Sequence, residues 1–263
     1  MNDVGKKPYY FLNTVARALA VLEQFTGSDA ELGVAEISRR LGLHKSVSHR
    51  LLATLTDLGL LAPGSSHGTY RLGVKSLELG LTYLRHSPVD RVARDHLIRL
   101  AQQLPDLSFH VAILDGTEIV YVNVVNGPQA KWQPAILGRR RQAYCNAVGK
   151  VLLAYLSPAE LEVYLSKVEL RPFTSNTITS PEALRKELEQ IRIREWALDN
   201  QENSERYCVG TPIRDHTGRI VAALSLAGLP HHFEKYGQAF LVDKVKEVAQ
   251  PISHDLGFPT PSA

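Results

Sequence analysis

From Leu41 to Leu61 the chain reads LGLHKSVSHRLLATLTDLGLL, an apolar stripe at helical spacing behind a polar entrance. Val47, Leu51, Leu55 and Leu58 fall within a narrow arc of a helix that begins near Lys45, and Leu52 widens the stripe. The same count puts Lys45, Ser46, His49, Ala53 and Thr56 on the opposite face, with Ser48 and Arg50 on its flanks. A helix that only packs on a core needs no Lys-Ser-Val-Ser-His-Arg cluster at its start. Recognition helices do, because their first turns present short polar and basic side chains to base edges and phosphates.

The neighbouring sequence supports that reading. Thr14 to Phe25 predicts a helix with Val15, Ala18, Leu19, Leu22 and Phe25 on its apolar face and Asn13 or Thr14 as its N-cap. Val34, Ile37 and Leu41 predict a short second helix that Gly42 terminates, since glycine readily takes the left-handed exit conformation. After the third helix, Leu60 to Ala62 and Thr69 to Leu72 read as strands around the turn Pro63 to Gly68. Three helices and a β-hairpin predict a winged helix-turn-helix over residues 8–73, binding double-stranded operator DNA. The expected contacts are Lys45, Ser46, Ser48, His49 and Arg50 on the third helix, His67 at the wing tip and Arg71 on its second strand. Charge agrees: Glu36 to Lys75 holds six basic and two acidic side chains, which exceeds the net +3 of the whole chain. On charge alone, a solvated basic face is the alternative.

Residues 74–87 continue as a helix through Val74, Leu77, Leu81 and Leu84 until Ser87-Pro88 breaks it, which predicts a stiff linker. Residues 88–259 mix element types. A helix over Asp90 to Leu104 precedes two strands joined at Asp115-Gly116, a hairpin signal. Helices follow at Ala147 to Leu156, after Ser157-Pro158, and from Ser180-Pro181 to about Arg194. Two strands, Cys208 to Ile213 and Ile220 to Leu226, then lead to a closing helix through Leu241, Val245, Val248 and Ile252. Antiparallel hairpins with segregated helices predict an α+β domain.

Several function classes find no support in the sequence. No run reaches the length of a membrane span, and the N-terminus lacks the apolar core of a signal peptide. Two cysteines, Cys145 and Cys208, form neither a metal motif nor a disulfide framework, so a cytoplasmic chain with reduced thiols is expected. No nucleophile motif, phosphate loop or paired-histidine metal motif occurs, and His231-His232 reads as a solvated loop. Neither catalytic nor metal-binding residues are expected. Two alternatives stay open: a small-molecule enzyme fused to a DNA-binding domain, and a constitutive DNA binder with a degenerate ligand domain.

The order VARALAVLEQF, VAEISRRLGLHKSVSHRLLATLTDLGLL and GTYRLGVKSLELG resembles the IclR family of bacterial transcription regulators. The resemblance continues in ILGRRRQAYCNAVGKVLLAYL and REWALDNQENSERYCVGTPIRDHTGRIVAALSLAG, so it spans nearly the whole chain. It implies a GAF-like effector-binding and oligomerisation domain over residues 88–259. That domain would sense a small molecule, commonly a carboxylic acid such as a sugar acid or aromatic acid, with no further cofactor. Carried over, the pocket comprises Ala147 and Val148 at a helix start, then Asp199, Cys208, Ser225 and Ala227, with Arg141 and Asn146 beside them. Repression is the mode the resemblance implies, with a homodimer or dimer of dimers as the assembly. This chain departs from the family pattern in four places. His44 replaces a capping Ser or Pro, Val47-Ser48 replaces Thr-Val, Arg141-Gln142 replaces an apolar residue and Pro, and a Gly is deleted near Glu205-Arg206.

Overall fold

The computed structural model describes residues 10–27, 29–131 and 135–259. The chain divides into two compact units between His86 and Ser87.

The first unit contains α1 (Asn13–Glu23), β1 (Leu32–Gly33), α2 (Val34–Leu41), α3 (Lys45–Asp57), β2 (Leu61–Pro63), β3 (Thr69–Leu72) and α4 (Val74–Arg85). Its three strands form an antiparallel sheet in the order β1-β3-β2. The wing hairpin lies where the sequence puts it, and β1 is an addition too short to leave a periodic signal. Gly42 ends α2 at φ 62°, in the left-handed region. Val21, Phe25, Ile37, Leu51, Leu52, Leu55 and Leu61 form the core.

Three details of the sequence reading change. Helix α1 starts at Asn13 itself, with Leu12 at the cap position and no side-chain cap. Val15 and Leu19 are exposed, because this unit packs against α1 through Val21, Leu22 and Phe25 instead. Leu58 is exposed at the end of α3, whereas Leu52 lies wholly in the core. Along α4, Val74, Leu77 and Leu81 are exposed as well.

The second unit contains α5 (Pro88–Gln103), β4 (Ser108–Asp115), β5 (Glu118–Asn126), β6 (Arg140–Gln142), α6 (Ala147–Ala154), α7 (Pro158–Lys167) and α8 (Pro181–Arg194). It continues with β7 (Ala197–Asn200), β8 (Tyr207–Arg214), β9 (Ile220–Gly228), α9 (Pro230–Tyr236) and α10 (Gln238–Asp255). The antiparallel sheet runs β6-β5-β4-β9-β8-β7. Helices α5 and α10 cover one face, while α6 and α8 cover the other. Ser157 caps α7 in a reciprocal box with Glu160, as its spacing predicts. Helix α6 is buried throughout, and Gly149 permits its close approach to the preceding turn. A Cβ there would stand 2.1 Å from the Ala143 carbonyl oxygen.

Candidate functional site

The DNA-reading candidate is the start of α3. His44 occupies the cap position, where its Nδ1 accepts the Ser46 N–H at 3.4 Å and lies 2.8 Å from Ser46 Oγ. An imidazole thus does the capping work of a hydroxyl. Lys45, Ser46, His49 and Arg50 are exposed on this turn, and His67 and Arg71 are exposed on the wing.

Ser48 is not on that face. It is 0% exposed, and its Oγ lies 2.9 Å from Ser38 Oγ on α2. Ser38 gives its proton to the Val34 carbonyl at 2.8 Å, so Ser48 is the donor of the pair. The expected DNA contact is replaced by a polar peg between α2 and α3. Counting at 3.6 residues per turn sets Ser48 on a flank, but α2 packs over that flank through Ser38.

The basic cluster divides as well. Arg39 and Arg40 both bind Glu36, and Arg40 also binds Asp29 at 2.6 Å. Arg39 and Arg40 hold the Glu36 carboxyl down at about 2. Lys45, Arg50, Arg71 and Lys75 remain as cations outside those pairs. Glu31, which the sequence did not single out, accepts the Ser65 N–H at 2.8 Å and the Thr69 hydroxyl at 2.9 Å. It ties down the base of the wing.

In the second unit, strand register gathers the ligand-site candidates. Asp199 on β7 lies opposite Cys208 on β8, which lies opposite Ala227 on β9. These three line a small cavity of about 30 Å³. Arg139 and Arg141 enter it from the β6 side and Arg206 from the turn between β7 and β8. Those strands are the two ends of the sheet order, so the sheet curls to bring both rims to one cavity. An outer cleft of about 310 Å³ adjoins it and shares Arg141, Asn146 and Arg206. Arg140, between the two β6-side arginines, instead pairs with Asp115 and Glu118.

Asn146 caps α6 by accepting the Gly149 N–H at 2.7 Å, and its amide donates to the Gln142 carbonyl. Asp199 is 2% exposed, with one oxygen accepting the Glu202 N–H at 2.8 Å and the other the Asn203 amide at 2.9 Å. Burial outweighs those bonds and pushes its carboxyl up to about 7. Behind it, buried Lys150 binds Glu202 and donates to the Leu198 carbonyl at 2.6 Å. Burial, then the Asp199 charge, raises the Cys208 thiol well above its ordinary range, and the same two causes push Cys145 up to about 12. Both cysteines are therefore thiols at neutral pH, a poor state for a nucleophile.

Three sequence candidates stand outside the cavity wall. Ala147 and Val148 are buried in the core, where they pack α6 onto the sheet. Ser225 is buried behind His110, whose Nδ1 lies 3.3 Å from its hydroxyl. Ser108 donates to Asn126 Oδ1 at 2.6 Å, so it accepts from His110 Nε2 at 2.8 Å. His110 Nδ1 then accepts a hydrogen bond from the Ser225 hydroxyl, and burial holds this imidazole neutral, its pKa down at about 3. The Asn126–Ser108 chain thus sets the tautomer of a wall residue, and Ser225 satisfies its other nitrogen.

The sequence reading missed His110, Tyr121, Arg139, Asn203 and Arg206 in that wall. The period-two spacing of Arg139 and Arg141 was a usable signal, as was a lone histidine inside the apolar run FHVAIL. Arg206 lies in an irregular turn and left none. Among the described residues, no cluster of three or more His, Cys, Asp or Glu is placed to hold a metal. His232 lies in α9, where its Nδ1 accepts the Leu229 N–H at 3.0 Å, rather than in the solvated loop expected of it. No described helix is long and apolar enough to cross a membrane.

Residues 14–63 match the model of the IclR helix-turn-helix domain, and residues 81–254 match that of the bacterial transcriptional regulator IclR C-terminal domain. The HTH-type transcriptional regulator XynR of Escherichia coli K12 is 34% identical over 94% of this chain and 98% of its own length. Among solved structures, that of Thermotoga maritima IclR is 34% identical, covers 94% of this chain and all of its own, and superposes with a TM-score of 0.74. An IclR homologue from Microbacterium hydrocarbonoxydans, solved with 4-hydroxybenzoate, is 28% identical over 92% of this chain and 98% of its own, with a TM-score of 0.80. With a helix-turn-helix in the first unit, an arginine-lined cavity and cleft in the second and family matches across both, this chain belongs to the IclR family of ligand-responsive, DNA-binding transcriptional regulators.

Proposed function

We propose that this regulator is a repressor whose effector is a small organic acid, bound in the cavity and adjoining cleft between β6 and the β7–β8 turn. The observation that carries this reading is Arg141. It faces the cavity beside the capped start of α6, and among the described residues it has no carboxylate partner. A guanidinium in such a place recognises a carboxylate through paired N–H donors, aided by the positive end of the helix. The Microbacterium homologue supports an acid as ligand, since its partner in the crystal is 4-hydroxybenzoate. On the DNA side, Lys45, Ser46, His49 and Arg50 read or hold the operator, with His67 and Arg71 along the backbone. The assembly is a homodimer or a dimer of dimers, which presents two recognition helices to two half-sites.

The test is a thermal-shift screen of organic and sugar acids, followed by operator binding with each hit. An acid that stabilises the protein and releases it from operator is the expected result. If acids stabilise nothing while neutral ligands do, the acid reading is wrong.

A further inference from the structure

The cavity carries more positive charge than one carboxylate can balance. Arg139, Arg141 and Arg206 all line it, and among the described lining residues Asp199 is the one acidic side chain. Elsewhere in this unit, Arg140, Arg185, Arg194 and Arg214 each have a carboxylate partner within 2.8 Å. Arg139 and Arg141 have none among the described residues. Burial, then repulsion from Arg139 and from Arg206, pushes the Arg141 guanidinium below its ordinary range. Asp199 does little to relieve this, because its carboxyl is already bonded to Glu202 N–H and Asn203.

Position matters as much as count. Arg139 and Arg141 belong to the β6 rim, while Arg206 belongs to the turn between β7 and β8, from the other end of the sheet order. Arg141 and Arg206 also border both the cavity and the outer cleft. A ligand lying between two cationic rims gains most when it carries a separated anion for each.

We infer that the effector is a small dicarboxylate, one end held by Arg141 at the start of α6 and the other by Arg206 across the cavity. Arg139 adds long-range attraction at the mouth. The inference rests on the effector reading of this cavity. It separates two separated carboxylates from a single doubly charged group such as phosphate, which two opposed rims serve less well.

The experiment uses the full chain at fixed pH and ionic strength. Calorimetry compares succinate, glutarate and adipate with butyrate, valerate and hexanoate, and with inorganic phosphate. One diacid should bind at least about ten-fold tighter than its monoacid, as expected for one further charge-assisted contact. Arg206→Gln should then bring the diacid-to-monoacid ratio near one, while Arg141→Gln should weaken both members of the pair. Monoacids binding as tightly as diacids would overturn the dianion inference and leave the acid cavity standing. Phosphate binding as tightly as the best diacid would overturn the two-ended geometry. Binding by none of these compounds would overturn both the inference and the cavity reading beneath it. A ratio unmoved by Arg206→Gln would remove Arg206 from the second end.

Discussion

Asp199 shows what single residues do in this protein. Its carboxyl is raised to about 7 in the folded chain, chiefly by burial, while an unfolded aspartate titrates near 3.8. A raised carboxyl favours the folded state while protonated, so its contribution is fully present below about pH 4 and is lost as pH rises through about 7. The loss is on the order of a few kcal/mol, since each pKa unit is worth about 1.4 kcal/mol. Thermal unfolding of wild type and Asp199→Asn from pH 4 to pH 8 reads this out. Wild type should lose stability relative to the variant across that window, and parallel curves would show that Asp199 is not the titrating group. On α3, His49→Ala should cost about 1–3 kcal/mol on the preferred operator and little on random DNA. Lys45→Ala should weaken all DNA and lower the salt slope by about one unit. Relative affinities across operator variants that ignore His49→Ala would remove it from the reading face.

At the scale of elements, the α2–α3 junction is held by the Ser38–Ser48 pair inside an otherwise apolar contact. Ser48→Ala removes one buried hydrogen bond and should cost about 1 kcal/mol of stability in urea unfolding. Operator affinity under conditions where the variant is folded should hold, because Ser48 does not reach the surface. A large loss of affinity with unchanged stability would instead make Ser48 a DNA contact. This junction also marks the limit of legibility. The apolar residues of α3 and the Gly42 stop declared the helix-turn-helix, because periodicity and left-handed backbone are local properties. Ser48's burial depends on how α2 crosses α3, which no local pattern records. The same division holds in the ligand domain. Arg141 and Asp199 were legible as residues of interest, but their meeting depends on a sheet that brings its two end strands to one cavity. Ala147 and Val148 were carried over from a motif, and the structure uses them to pack α6.

The whole molecule leaves apolar side chains uncovered in its first unit. Val15 and Leu19 on α1 and Val74, Leu77, Leu81 and Tyr83 on α4 are all exposed. Surfaces of this kind mark protein–protein contact, in keeping with a dimer that places two recognition helices about 34 Å apart or a multiple of it. Sedimentation equilibrium should return the mass of two or four chains at micromolar concentration. A monomer that binds a single half-site with full affinity would contradict that assembly. Arg141 isolates the proposed control of DNA binding by an acid in the second unit. Operator affinity should be measured for wild type, Arg141→Lys and Arg141→Ala, each with and without an acid that stabilises wild type. The acid should lower operator affinity of wild type about 10-fold or more, act weakly on Arg141→Lys and fail on Arg141→Ala, since an ammonium cannot reproduce the guanidinium fork. Equal release of operator from all three proteins would contradict that control.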